Sequence, residues 1–219
     1  MPGVERALIV ASGTRLPHDL PRWISEASHV VAADGGANLI RDFQAAALTI
    51  LGDFDSIDPS FREYFAHAAV LHREDQESTD FQKALQYTVQ DLRAESISVV
   101  ASEGDLLDHT LSALSSASAL ADEARIRFVF ERSIATLVGP SRSPVQLRTR
   151  PGIRVSLIPL AAAVVAETSG LKYSPSGLQL AIGGRDGVSN EAVGDSVMVA
   201  LESGVLAVFT ERWEGEDRW

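Results

Sequence analysis

The sequence predicts an α/β fold: an N-terminal, mostly parallel-sheet α/β domain with a smaller C-terminal antiparallel β-sandwich domain. In the first part of the chain, short apolar runs alternate with helical patterns, which is typical of parallel strands covered by helices. Around Gly139–Pro151 the composition shifts to Pro, Ser and Arg, and only strand-like runs follow. We therefore predict domains at residues 1–139 and 140–219.

Each predicted element rests on its own pattern. Strands of the first domain are expected at 7–11, 29–33, 48–52, 69–72, 96–102, 125–131 and 135–139. A helix over 79–92 is indicated by apolar residues at i, i+3, i+4 spacing and by a Ser-Thr-Asp start, and an Ala- and Ser-rich helix is predicted over 108–121. In the second domain, runs at 145–149, 154–160, 163–168, 178–182, 195–201 and 205–210 are separated by turn residues, which predicts antiparallel strands.

Composition and charge exclude several classes of protein. The formal net charge of -11 over 219 residues opposes binding to nucleic acid or an anionic membrane. The chain contains no cysteine, so disulfides, thiolate zinc sites and a cysteine nucleophile are excluded, and carboxylates and five histidines remain as metal ligands. No secretory signal and no apolar run near the roughly 20 residues of a membrane helix occur, so we expect a cytoplasmic protein.

Acidic residues follow three of the predicted strands. These residues are Asp34, then Asp53 and Asp55, then Asp75 and Asp80. The carboxyl ends of the strands border the ligand crevice in an open α/β sheet, so the five carboxylates are expected to converge. Such a concentration of like charge favours Mg²⁺ bound together with substrate phosphates. For any single Asp, a helix cap or a turn is an alternative.

Asp53 and Asp55 are the sharpest candidates for metal ligands. Alternate residues that leave a strand point to the same side, so both carboxylates are expected to reach one ion while Phe54 points into the core. The Gly35-Gly36 pair is compatible with a close approach to phosphate or with an ordinary strand-to-helix turn.

Other polar residues admit both a functional and a structural interpretation. Asp80 and Lys83 lie one helical turn apart, either as a metal ligand and a phosphate ligand or as a surface ion pair. Asp108 is either a functional acid or a helix cap, and His109 is either a ligand or a packed neutral imidazole. Ser189 and Asn190, taken alone, indicate a turn.

The ordered motifs ADGGAN, LGDFDS, DQESTDFQKAL, a DH pair, VSLIPL, TSGLKYS and VSNE resemble the thiamine pyrophosphokinase family. The resemblance extends from about Val30 to Phe209. It implies the two-domain fold described above and a homodimer with substrate bound between subunits. It also implies a reaction in which the hydroxyl of thiamine attacks the β-phosphorus of ATP, so that the diphosphate is transferred and AMP departs.

The resemblance assigns roles to individual residues. It places Asp53, Asp55 and Asp80 at Mg²⁺, and Asp34, Gly35, Gln76, Thr79, Lys83 and His109 near the nucleotide. It assigns Ser189, Asn190 and Trp213 to thiamine. Either Asp80 or Asp108 accepts the proton of the hydroxyl group, and the sequence does not choose between them. Trp213 either stacks on thiamine from the partner subunit or covers the edge of the β-sandwich.

One departure from the family pattern concerns the nucleotide. Where the family commonly has Gly-Gly-Arg before the DH pair, this chain has Gly104, Asp105 and Leu106, followed after one residue by that pair. A pyrophosphokinase acting on another heterocyclic alcohol, such as a pterin, therefore remains an alternative, as does a non-catalytic thiamine-binding regulatory protein. A phosphatase of the haloacid dehalogenase type fits poorly, because its Asp-x-Asp motif follows the first strand.

Overall fold

The computed structural model describes residues 3–58, 60–75, 77–104, 106–213, 216 and 219, apart from the side chains of Phe61 and Arg62. Two compact units divide the chain. The first contains the residues up to Ala113 together with Phe128–Glu131 and Trp219, and the second contains Leu114–Arg127 and the chain from Arg132 to the residue before Trp219. The units therefore interleave in sequence, and the domain limits at 1–139 and 140–219 stay predictions.

A parallel sheet forms the centre of the first unit. Its strands are β1 Arg6–Val10, β2 His29–Ala33, β3 Leu48–Gly52, β4 Ala69–His72 and β5 Ser96–Val100. They pair in the order β5-β1-β2-β3-β4, and all four pairings are parallel. Every residue of β3 is buried, as is nearly all of β1, β2 and β5, whereas β4 is largely exposed at the edge. The continuous apolar runs predicted this arrangement because such strands are buried on both faces.

The helices of this part of the chain are α1 Leu20–Glu26, α2 Phe61–Tyr64, α3 Asp80–Gln86 and α4 Leu107–Ser118. A 3₁₀ helix, Asp34–Ile40, follows β2, and a π-helical turn, Tyr87–Asp91, continues α3. The helix predicted over 79–92 is thus confirmed. Thr79 caps its start by accepting a hydrogen bond from the Gln82 amide, and the Gln82 side chain accepts one from the Thr79 amide.

The second unit is a β-sandwich. After β6 Arg125–Val129, which is divided between the units, its strands are β7 Ser133–Val138, β8 Val145–Arg148, β9 Arg154–Pro159, β10 Ala163–Ser169, β11 Gln179–Leu180, β12 Gly187–Glu191, β13 Ser196–Ser203 and β14 Leu206–Glu211. The strands pair antiparallel as β12-β9-β14-β7 and as β11-β10-β13-β8. Buried residues from both sheets, such as Leu157 and Val199, form one core.

One element of the second unit differs from the prediction. The segment expected to be a turn at Ser189 and Asn190 is strand β12. Its register against β9 shifts between Gly187 and Asn190, and Ser189 has a φ of 59°. This is the geometry of a β-bulge, which keeps polar, turn-like residues within a strand. No helix in the described part of the chain is long and apolar enough to cross a membrane.

Candidate functional site

A cavity of about 430 Å³ lies at the carboxyl ends of the parallel strands in the first unit. The chain passes from β1 to β2 on one side of β1, whereas β5 pairs with β1 on the other side. The strand order therefore reverses at β1, which is where open α/β sheets bind ligands. The cavity is lined by Ala11–Thr14, Ala33, Asp34, Ser56, Thr79–Phe81, Ala101–Gly104, Leu106, His109, Ser112 and Ala113.

Three carboxylates meet at one end of this site. Asp34, Asp53 and Asp80 each offer an oxygen atom, and these oxygens lie within 4.8 Å of one another. Asp34 follows β2, Asp53 follows β3, and Asp80 is the first residue of α3. The convergence predicted from the strand ends thus brings together three of the five acids, which we call the acidic cluster.

Asp34 is the buried member of the acidic cluster. Its side chain is only 4% exposed, and its Oδ1 atom has no hydrogen-bond partner among the described residues. Burial raises the pKa of the Asp34 carboxyl group, and the charges of Asp80 and Asp55 raise it further, while the nearby amide of Gly35 and hydroxyl of Ser56 lower it in part. A buried, unpartnered carboxylate oxygen among other acids is suited to a cation.

The neighbouring acids take other positions. Asp55 is exposed, accepts a hydrogen bond from the Ser56 hydroxyl at 2.9 Å, and is not one of the three acids that meet. The expectation that Phe54 points into the core is wrong: its φ of 68° breaks the extended alternation, and its ring stacks on His72 at 5.2 Å. Asp75 accepts hydrogen bonds from the Glu77 amide and the Ser78 hydroxyl, so it forms a turn.

Lys83 is buried beside the acidic cluster. Its Nζ atom donates to Asp80 Oδ1 at 3.2 Å and to the Arg73 carbonyl at 3.2 Å. Because the lysine side chain is only 8% exposed, this pair is not a surface ion pair. The lysine offsets part of the negative charge of Asp80. Thr79, the helix cap, also lines the cavity.

In the glycine pair after Asp34, close packing requires one of the two glycines, Gly36. A Cβ atom on Gly36 would lie 2.2 Å from the Val10 carbonyl oxygen, so only glycine fits there. A Cβ atom on Gly35 would make an ordinary contact of 3.4 Å with Ser56. The close approach at Gly36 thus involves the end of β1, and the position of Gly35 near the nucleotide stays a prediction.

The residues at the start of α4 separate into two groups. His109 is exposed and lines the cavity, so it is not a packed imidazole, whereas Asp108 is exposed and is not one of the lining residues. Leu106 lines the cavity and is 57% exposed. Gln76 and Asp105 lie outside the described residues, so their predicted roles stay predictions.

Sequence reasoning missed two loops of the cavity, at Ser12–Thr14 after β1 and Ala101–Gly104 after β5. The Gly13 amide donates to the Ala101 carbonyl at 2.6 Å, and a Cβ atom on Gly13 would lie 2.5 Å from that oxygen. The only available signal was small residues after an apolar run. Among the described lining residues there are acids but no lysine or arginine.

The residues assigned to thiamine lie in the second unit. Asn190 is 6% exposed, and its amide group binds the backbone of Tyr173 through both Oδ1 and Nδ2, at 3.1 and 2.6 Å. Ser189 is exposed, and its amide donates to the Ser156 hydroxyl. Asn190 therefore fixes the neighbouring segment around Tyr173, and Ser189 is the accessible member of the pair.

Trp213 is half-buried and packs against the core of the β-sandwich. The guanidinium groups of Arg148 and Arg150 lie 5.8 and 5.6 Å from the centroid of its ring. These contacts agree with the structural interpretation, in which Trp213 covers the edge of the sandwich. They also show that its ring attracts cations.

Comparisons with known proteins agree on one family. The model described as thiamin pyrophosphokinase, catalytic domain, matches residues 20–129, and that of the thiamin pyrophosphokinase vitamin B1 binding domain matches residues 144–206. Thiamin pyrophosphokinase 1 of Caenorhabditis elegans is 29% identical over 202 residues, covering 86% of this chain and 82% of that protein. Thiamine pyrophosphokinase 3 of Oryza sativa subsp. japonica is 24% identical, covering 95% and 87% of the two chains.

Solved structures share the fold. The thiamine pyrophosphokinase from Bacillus subtilis superposes with a TM-score of 0.81 at 20% identity, covering 94% of this chain and 99% of that chain. The thiamin pyrophosphokinase from Geobacillus thermodenitrificans gives a TM-score of 0.80 at 24% identity, covering 96% and 99%. The predicted fold class is thus confirmed.

Proposed function

We propose that this protein, which belongs to the thiamin pyrophosphokinase family, transfers the diphosphate group of ATP to the hydroxyl group of thiamine. The products are thiamine diphosphate and AMP. The observation that carries the proposal is the acidic cluster, which faces a cavity at the strand-order reversal and contains a buried oxygen with no partner among the described residues. A triphosphate enters such a site only with cations.

The acidic cluster fits Mg²⁺, because carboxylate oxygens are the ligands that this ion prefers. Asp34, Asp53 and Asp80 would hold the ion, and the charge of Asp55 lies near enough to raise the pKa of Asp34. When bound, Mg²⁺ neutralises phosphate charge and stabilises the charge that develops in transfer. The Oδ1 atom of Asp34, which has no partner in the part of the chain that the structure describes, supports this assignment.

The chain's own residues then provide alignment and proton transfer. Thr79 fixes the start of α3 through its cap, and Lys83 holds the Asp80 carboxylate through a buried contact, so Asp80 has a defined position. Asp80 lines the cavity and Asp108 does not, so we assign to Asp80 the role of accepting the proton of the attacking hydroxyl group. Most of the catalysis then comes from positioning and charge.

We place thiamine against the second unit of the chain, and we propose that the protein is a homodimer. Large apolar side chains are exposed there near Ser189, namely Tyr173 at 66%, Val188 at 55% and Val193 at 56%. Exposed apolar surface of this kind is typical of an interaction site. Ser189, Asn190 and Trp213 are the proposed thiamine residues, and a cytoplasmic location completes the proposal. Sedimentation velocity tests the homodimer, and a monomer that binds thiamine fully would contradict it.

The reaction itself is tested by product analysis. The protein is incubated with ATP, Mg²⁺ and a panel of alcohols that includes thiamine and a hydroxymethyl pterin. We expect thiamine diphosphate and AMP in equal amounts and no turnover in excess chelator. ADP as the nucleotide product would indicate an ordinary kinase, and AMP formed only with the pterin would indicate another acceptor. No product from any alcohol would indicate a binding protein.

A further inference from the structure

Ser102 carries a buried hydroxyl group at the cavity. The residue is 9% exposed and lines the cavity, and its Oγ atom has no hydrogen-bond partner within the described part of the chain. Its backbone carbonyl accepts a hydrogen bond from the Thr110 hydroxyl at 2.8 Å. Buried hydroxyl groups are nearly always paired, so an unpaired one beside a cavity points to a bound ligand.

Ser102 and the acidic cluster lie at opposite ends of the cavity. Ser102 follows β5, Asp34 follows β2, and β1 lies between these strands. Because neighbouring strands are about 4.8 Å apart, the two ends are separated by roughly 10 Å. Apolar groups from Ala101, Leu106 and Ala113 form part of the wall at the Ser102 end. The cavity therefore has the acidic cluster at one end, for cations and phosphates, and at the other end apolar groups beside a single acid, Glu103.

The loop that carries Ser102 is held in a specific conformation. Ala101 has a φ of 56°, a left-handed conformation that is rare for residues other than glycine. The Gly13 amide bonds the Ala101 carbonyl, and Thr110 on α4 bonds the Ser102 carbonyl. Strained backbone conformations that the surroundings fix in this way are concentrated at ligand sites.

We infer that the Ser102 hydroxyl binds the nucleoside part of the nucleotide, opposite the acidic cluster that receives its phosphates. The inference rests on the proposed function and makes Ser102 a specificity-determining residue for that nucleotide. A change of the χ1 rotamer presents Oγ to the cavity, where a hydroxyl group can donate to or accept from a ribose hydroxyl or a base nitrogen. The apolar wall suits a flat base.

The experiment compares Ser102→Ala with a matched control, Ser98→Ala. Ser98 lies on β5, is fully buried, and its Oγ atom is also unpartnered among the described residues, but it does not line the cavity. Titration calorimetry with Mg²⁺ measures the binding of ATP and of inorganic tripolyphosphate to the full chain. Thermal unfolding without ligand measures the stability of each variant.

We expect Ser102→Ala to weaken ATP binding about three- to tenfold, the worth of one neutral hydrogen bond, and to leave tripolyphosphate binding unchanged. Without ligand, its melting temperature should equal or exceed that of the wild type, because the lost hydroxyl has no partner in the described structure. Ser98→Ala should bind both probes as the wild type does.

Three results would overturn the inference. These are unchanged ATP affinity in Ser102→Ala, an equal loss for ATP and tripolyphosphate, and a lowered melting temperature without ligand. The second result would place the hydroxyl on the phosphate chain, and the third would show a structural partner. If the wild type itself binds no ATP or forms no AMP from ATP and thiamine, the proposed function fails. If the wild type does both and Ser102→Ala does not differ, only the inference about Ser102 fails.

Discussion

Replacing Asp34 by Asn tests two properties of the acidic cluster: the repulsion among its carboxylates and its binding of Mg²⁺. Asp34 is buried, its pKa is raised, and its Oδ1 atom lacks a partner among the described residues. Asp34→Asn keeps the size of the side chain and removes one negative charge. We therefore expect the variant to be more stable than the wild type in chelator and to lose its stabilisation by Mg²⁺.

The magnitude follows from the geometry. Two unit charges at 4.8 Å, the upper limit of the spacing in the cluster, repel by about 3.5 kcal/mol at an effective dielectric constant of 20. Lys83 offsets part of the charge of Asp80, and water reaches the half-buried Asp53 and Asp80. We therefore expect Asp34→Asn to raise the free energy of unfolding by about 1–3 kcal/mol at neutral pH without metal.

The pH dependence has a definite sign. The pKa of Asp34 is higher in the folded state than the ordinary value of 3.8, so the folded protein holds this proton more tightly than the unfolded chain does. Below that ordinary value Asp34 is protonated in both the folded and the unfolded state, and the effect of its charge is absent. As the pH rises toward and through the raised folded pKa, the wild type loses stability that Asp34→Asn retains. The difference in the free energy of unfolding between Asp34→Asn and the wild type should therefore grow as the pH rises from 3.8 through the raised pKa.

The assay is urea unfolding in chelator and in Mg²⁺, at acidic and neutral pH. Asp75→Asn is the matched control, because Asp75 forms a turn with Glu77 and Ser78 and should leave the response to Mg²⁺ intact. The acidic cluster is not the cation site if Asp34→Asn is no more stable than the wild type in chelator and if Mg²⁺ raises the free energy of unfolding of both proteins equally.

Three further predictions concern the nucleotide, the metal and thiamine. Leu106→Arg should tighten ATP binding about tenfold to a hundredfold in calorimetry, because the exposed side chain lines a cavity whose described lining has no lysine or arginine; Leu106→Met is the control, and an unchanged or unfolded arginine variant would contradict it. Asp55→Asn should lower kcat by orders of magnitude, as should Asp53→Asn, whereas a near-normal kcat would make Asp55 a turn residue. Trp213→Phe should weaken thiamine binding and reduce the quenching of tryptophan fluorescence by thiamine. Unchanged values would mean that Trp213 only covers the edge of the β-sandwich.

The parallel sheet was predicted closely from the sequence. The expected bounds of β2, β3 and β4 coincide with the observed ones, because each nearly continuous apolar run is followed by a charged residue that marks where the strand ends. Strand β12 was missed for the opposite reason. Its five residues are mostly polar and contain a bulge at Ser189, so they carry neither an apolar run nor strict alternation.

The candidate site was predicted in part. Asp34, Asp53 and Asp80 were found because acids after strands are conspicuous and strand ends converge. The predicted direction of Phe54 was wrong because this residue has a left-handed φ, which the alternation of side chains along an extended strand does not predict. Ser102 and the loop at Gly13 were missed because small residues follow most strands, and only the strand order shows that β5 adjoins β1.

The acidic cluster is built by rigid elements, which has a consequence for how a cation binds. Asp34 is fixed by the end of β2, Asp53 by the end of β3, and Asp80 by the capped start of α3. In the unfolded chain these acids separate and their repulsion disappears. The repulsion therefore lowers the free energy of unfolding of the protein without metal, and a bound cation would remove this effect. The proposed cation binding would therefore be linked to the stability of the whole parallel sheet and not to the closing of one loop. A substitution in the core of β2 or β3 should then weaken Mg²⁺ binding in titration calorimetry only if it displaces the strand ends that carry Asp34 and Asp53, and unchanged binding in a folded variant would show that the strand ends have stayed in place.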